Sequence, residues 1–278
     1  MKSLILLSVF VFSLYANIIK APITSVDLKT KTATIEVSDL KKGMFGYLVH
    51  KLENGNTIIL NTATILSYDP KTKQSKVSID EFDMFNSDSL PTSDWSIVEG
   101  DEAIFAFGYD KALLIAPTED IYYRISEAAN VTWVHPDIFA TILSRNGHPT
   151  PLRSDFAQFA DETLTGIVFL YLNSRVYTLD AKTFKILAIS EAKISQGKAM
   201  LPFYSRVEEI EAAWWGEGSS RLSKYEPYYY ELLIKANKDN KELFDIVSSS
   251  NKRSINSLLE YFDFKGDGRD KKRFFGLF

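Results

Sequence analysis

Residues 90–117, LPTSDWSIVEGDEAIFAFGYDKALLIAP, constrain the fold more than any other stretch, because the rhythm of the chain changes across them. Gly100 and Asp101 make a turn into the apolar run 103–107, and residues 108–111 make another before the run 112–116. That pattern predicts two strands joined as a hairpin. Pro117 carries no N–H for a sheet ladder, so a strand-rich, barrel-like part is expected to end there and a different architecture to begin.

Upstream, the segments TATIEV, MFGYLVH, NTIILNTATILSY and KQSKVSI alternate apolar and polar residues and are rich in β-branched side chains, the signature of antiparallel strands. Asn54-Gly55 is a tight hairpin signal, and Asp69-Pro70-Lys71-Thr72 suits a type I turn. With the strands of the opening stretch this makes about six, and closing them into a small barrel removes exposed edges. Residues 81–95 break the pattern. Their aromatic residues Phe82, Phe85 and Trp95, set among Asn, Ser, Asp and Pro, read as an irregular loop plugging the barrel mouth rather than as a contact surface.

Downstream the period lengthens. Pro136 opens PDIFATILSRNG, a helix with Ile138, Phe139, Ile142 and Leu143 on one face and Gly147 beyond its end. Ser154 can cap a second helix carrying Phe156, Phe159 and Ala160. Then GIVFLYL, RVYTL and FKILAIS read as a three-strand meander, a sheet expected to be covered on one face. SRVE at 205–208 and SKYE at 223–226 are capping-box patterns, each predicting a helix. The stripe Ile210, Ala213 and Trp214, and the stripe Tyr225, Tyr229, Leu232 and Ala236, are assigned to packing rather than to a carbohydrate platform. A last helix is expected over 241–262, interrupted at 248–252. The fold class is therefore α+β, a small antiparallel β-barrel followed by an α+β region with a helical C-terminal part. The expected divisions are a signal peptide at 1–16, the barrel at 17–117, the α+β part with its meander at 118–200, a helical region at 201–264 and a basic, aromatic tail at 265–278.

The first sixteen residues, MKSLILLSVFVFSLYA, place one lysine before a short apolar stretch that ends in a small residue, the layout of a secretory signal cleaved after Ala16. The stretch is short of the roughly 20 residues a membrane-spanning helix needs, and no later run reaches that length. The 278 residues contain no cysteine, which removes disulfides, zinc-thiolate sites and a lipid-modified amino-terminal cysteine. Loss of Lys2 with the signal leaves 31 basic residues against 36 acidic ones, and a mildly acidic chain is a poor match for nucleic acid.

Candidate chemistry is sparse. Asp137, Asp180, Glu191 and Lys193 imitate the carboxylates and lysine of a Mg²⁺-dependent nuclease, which requires those side chains to converge in one cleft. Ser38, Ser190, Ser195 and Ser249 each begin an S-x-x-K pattern without its companion motifs. Of His50, His135 and His148, only the last two could meet at a metal, and each precedes a proline as a turn residue would. No phosphate loop, dinucleotide fingerprint or nucleophile elbow is present, so neither cofactor nor metal is expected.

The opening stretch, with KKGMFGYLVH upstream and WVHPDIFATIL and LPFYSRVEEIEAAWWGEG downstream, resembles the amino-terminal domain of bacterial surface plasminogen-binding proteins over residues 18–222. The resemblance implies an exported, non-enzymatic envelope protein, in the periplasm or on the outer surface, that binds host plasminogen. Plasminogen's kringle domains favour lysine, so the candidate contacts are Lys265, Lys271 and Lys272. The sequence departs from a lysine-terminated pattern by ending at Phe278. The competing reading is a periplasmic enzyme, a metal-dependent hydrolase or nuclease, or an envelope-maintenance factor.

Overall fold

The computed structural model describes residues 18–38, 40–82 and 95–268. The predicted signal peptide, Phe85, Lys271 and Lys272 lie outside them.

Alternating side chains close the first sheet on itself. Its strands are β1 (Ile19–Asp27), β2 (Thr32–Glu36), β3 (Phe45–Lys51), β4 (Thr57–Asp69), β5 (Gln74–Ser78), the two-residue β6 (Asp80–Glu81) and β7 (Glu102–Phe105). They run in the order β3-β7-β1-β2-β5-β4, and β4 pairs back onto β3, giving a closed six-strand antiparallel barrel with β6 attached to β4. One long strand makes the corner. The first part of β4 pairs with β3 and its last residues pair with β5, with register shifts in both ladders that let it bend. Ile23, Ile35, Leu48, Ala63, Ile65, Val77 and Phe105 fill the interior. Gly46 is required there, because a Cβ at that position would lie 2.5 Å from the Phe105 ring.

The expected hairpin between 103–107 and 112–116 does not form. β8 (Lys111–Ile115) leaves the barrel and enters a second sheet, ordered β12-β11-β10-β8-β9. Between its strands the chain runs through α1 (Glu119–Ala128), β9 (Thr132–Val134), α2 (Pro136–Asn146) and α3 (Arg153–Thr163). It continues into the predicted meander, β10 (Ile167–Leu172), β11 (Arg175–Asp180) and β12 (Ile186–Glu191). β8 is parallel to both β9 and β10, so helices make the crossovers.

This sheet is covered on both faces, not one. Leu113, Ile115, Val168, Leu170 and Leu172 pack against Phe139, Phe156, Phe159 and Tyr229 on the helical side. Their strand neighbours Ala112, Leu114, Ile167, Phe169 and Tyr171 join the barrel interior and Ile121 of α1 in one continuous core. Burial on both faces is the setting in which parallel strands are found.

Helix boundaries follow the local signals unevenly. α2 starts at Pro136 and ends at Gly147, whose φ of 72° is the left-handed cap expected. For α3 the cap is not Ser154; the chain enters at Leu152, whose N–H donates to the Asp155 carboxylate at 2.7 Å. No helix forms over 205–222, despite the capping-box pattern. α4 (Tyr225–Ala236) buries the predicted Tyr225, Tyr229, Leu232 and Ala236 stripe, but Lys224 rather than Ser223 is its N-cap. α5 (Lys241–Ser248), α6 (Arg253–Asn256) and α7 (Leu258–Tyr261) divide the last segment at the predicted interruption. Among the described residues no helix is long and apolar enough to cross a membrane.

Candidate functional site

β11 ends at Asp180, which turned out to be a structural hub rather than a metal ligand. Its buried carboxylate accepts hydrogen bonds from the Phe45 N–H at 2.9 Å, the Tyr109 hydroxyl at 2.7 Å and the N–H groups of Lys182 and Thr183 at 3.0 and 2.8 Å. The Thr183 hydroxyl adds a fifth donor at 3.1 Å. Burial pushes the Asp180 carboxyl above its ordinary range, with the bonds from Thr183, Phe45 and Tyr109 acting against that rise. Phe45 begins a barrel strand and Asp180 ends a sheet strand, so this one carboxylate ties the two sheets together. Burial, reinforced by Asp180, also drives the Tyr109 phenol well above its usual value. Desolvation pushes the neighbouring Tyr47 up to about 12.

The nuclease arrangement does not form. Glu191 faces Arg175 across the β11–β12 ladder, five residues from Asp180 along β11, a separation of about 17 Å at strand rise. There Glu191 makes an exposed pair with Lys193 at 3.1 Å. Asp137 is engaged elsewhere, accepting from the Ser205 hydroxyl at 3.0 Å, the Arg206 N–H at 2.8 Å and Arg206 Nε at 2.7 Å. Partial burial works against the Asp137 carboxylate, but these bonds outweigh it and hold its pKa below the usual value.

Each histidine is matched with an aspartate instead of a metal. His50 Nδ1 lies 2.6 Å from Asp101, and His148 Nδ1 lies 2.8 Å from Asp155. His135 is the N-cap of α2, accepting from the Asp137 N–H at 3.2 Å, and desolvation lowers its pKa. His135 and His148 sit beyond opposite ends of the 11-residue α2, about 16 Å of helix apart. Among the described residues no group of three His, Cys, Asp or Glu side chains could hold a metal ion.

The surface carries more information than the interior. Lys265, the candidate contact within the described residues, is 41% exposed and pairs with Asp263 at 3.3 Å. Residues 205–222 cross the corner after α2 as an irregular segment. Ser205 is held by Asp137 rather than capping a helix, and Trp214 and Trp215 are 98% and 82% exposed. The packing expected of Trp214 fails because its spacing has no helix to act on. No local signal distinguishes this outcome, since the bond that fixes Ser205 comes from 68 residues away. An open groove of about 650 Å³ lies nearby in sequence, between the 192–201 segment and the start of α4. Tyr171, Tyr225, Lys198, Lys224 and Leu201 are among the residues that line it.

A family model described as "Plasminogen-binding protein pgbA N-terminal" matches residues 18–233. Two curated relatives, both called Plasminogen-binding protein PgbA, come from Helicobacter pylori strains J99 and 26695. They are 28% and 27% identical over 223 residues, which is 79% of this chain and 48% of each relative. The chain thus spans about half the length of these relatives. No solved structure matches.

Proposed function

This chain belongs to the plasminogen-binding protein pgbA N-terminal family, and on that premise we propose that it is an exported bacterial envelope protein that acts by binding, with plasminogen as its partner. The observation that carries the proposal is the family match across 18–233, supported by two relatives whose names state plasminogen binding. Lys265, Lys271 and Lys272 are the proposed contacts, since kringle domains favour lysine. Lys265 is available for such a contact. Its pairing with Asp263 is an exposed one, a class that contributes only about 0–1 kcal/mol and is readily exchanged. The reading is one of binding without catalysis, because the acidic residues that could have made a hydrolytic site have separate structural partners. Export rests on residues 1–16 acting as a cleaved signal.

The test is binding of residues 17–278 to plasminogen, with and without excess free lysine. Saturable binding suppressed by lysine is expected, with the Lys265→Ala/Lys271→Ala/Lys272→Ala form losing most of it. Absence of binding at micromolar concentration overturns the proposal. Fractionation of intact cells tests export separately, and a cytoplasmic protein would refute that part.

A further inference from the structure

Trp214 and Trp215 stand out of the surface on a segment that is firmly held. The Glu211 N–H donates to Ser144 Oγ at 2.8 Å, and the Ala213 N–H donates to the Gly147 carbonyl at 2.9 Å. Beyond the tryptophans, the Thr150 N–H donates to the Gly218 carbonyl at 3.1 Å and the Thr150 hydroxyl to the Ser220 carbonyl at 2.6 Å. The segment is therefore fastened to the α2–α3 corner on both sides of the indoles, and their exposure is a fixed presentation. Each indole carries about 150–250 Å² of surface that folded chains ordinarily bury. Glu208, Glu211 and Glu217 flank them in sequence, and among the described residues none of the three has an ion-pair partner, whereas Glu209 is paired with Arg221.

The 650 Å³ groove has the opposite character. Leu201, Ala199 and Pro227 supply its apolar surface, while Tyr171 and Tyr225 on its lining are buried, and among the described residues Lys198 and Lys224 make no ion pair. Lys252 at the same groove is already engaged by Glu226. Its size lies within the roughly 300–1,000 Å³ of cavities that enclose compact ligands.

We propose that the Trp214–Trp215 apex docks into the Lys198/Lys224 groove of a second copy of this chain. The flanking glutamates would meet Lys198 and Lys224, and the indoles would fill the apolar part, the central aromatic anchoring typical of interface hot spots. Among the described residues nothing covers either tryptophan, which leaves both indoles open to a second copy. Anionic lipid is a poor occupant for the apex because the flanking glutamates carry the same charge. Apex and groove are different surfaces, so the contact is heterologous and copies join head to tail into a ring or an open string.

Sedimentation velocity of residues 17–278 between about 1 and 500 μM spans weak association. The expected result is a mass that grows with concentration and shrinks with added salt. Trp214→Ala/Trp215→Ala and Lys198→Glu/Lys224→Glu should each weaken association at least ~10-fold, the effect of losing one hot spot. An equimolar mixture of the two variants should form a 1:1 complex that grows no further, because each variant retains the half the other lacks. Wild-type chain that stays monomeric throughout, or a variant mixture that stays monomeric while wild type assembles, overturns the proposal. If the tryptophan variant loses its native circular dichroism, Glu208→Lys/Glu217→Lys tests the same apex with both indoles kept.

Discussion

Two irregular places in this molecule are each held by a handful of long-range hydrogen bonds, and they do opposite things. At Asp180, five donors converge on one buried carboxylate and join the barrel to the second sheet. At residues 205–222, backbone groups fasten a loop to the α2–α3 corner and leave two indoles outside. The comparison teaches that irregular chain is not one category. Tethers that converge on one buried carboxylate make a fastening between sheets, whereas tethers spread along the backbone of a loop make a display.

Four measurements sharpen or break that contrast. Asp180→Ala leaves its donors buried without an acceptor, and urea unfolding should show a loss of roughly 3–5 kcal/mol. A loss under 1 kcal/mol would show that the fastening lies elsewhere. Alkaline pH attacks the same place from the other partner. Because Tyr109 and Tyr47 are raised above the ordinary phenol value of 10.0 when folded, their stabilising protonated forms are fully present below pH 10 and are lost as pH rises through the folded values. From pH 10 toward 12, stability should fall by ~1.4 kcal/mol per pH unit for the buried Tyr109 and by less for the partly exposed Tyr47, while tyrosinate absorbance lags the denatured chain. A flat stability curve across that range would contradict the burial of these phenols.

At the display, Gly147→Ala should cost about 1–2 kcal/mol in thermal unfolding. Gly147 has positive φ, and an added Cβ would lie 2.5 Å from Ala213. The smallest effect belongs to Trp214→Ala/Trp215→Ala, which should leave folding stability within ~0.5 kcal/mol, as for exposed positions generally. A larger loss would mean that the indoles support the fold and are not simply presented by it.

Legibility in the sequence follows the range of the interaction involved. Five of the six barrel strands, β2 to β5 and β7, the meander, α2 with Gly147 and the buried stripe of α4 were readable, because their signals are periodicity and turn chemistry within a few residues; β1 was not picked out, and the run 112–116 was counted in its place. The second-sheet placement of β8 had a faint signal. Ala112, Leu113, Leu114, Ile115 and Ala116 are apolar without alternation, as suits a strand buried on both faces, while β7 alternates. α1 was missed although Thr118 and the acidic Glu119 and Asp120 mark its start. Ser205 could not be read at all, since its capping pattern is locally sound and is overruled by Asp137. The same applies to the candidate site. The exposure of Trp214 follows from tethers to Ser144, Gly147 and Thr150 that no window of sequence contains.

The strands β8 and β10 have a consequence for how the molecule comes apart. Their odd and even side chains belong to different cores, so neither core can be dismantled without stripping one side of the same two strands. Cutting the chain after Pro117 would leave β8 without β10, its parallel neighbour, and deprive Phe45 of the carboxylate that holds it. Heat or denaturant should therefore meet a single cooperative unit, with the barrel and the helical layer losing protection from hydrogen exchange together.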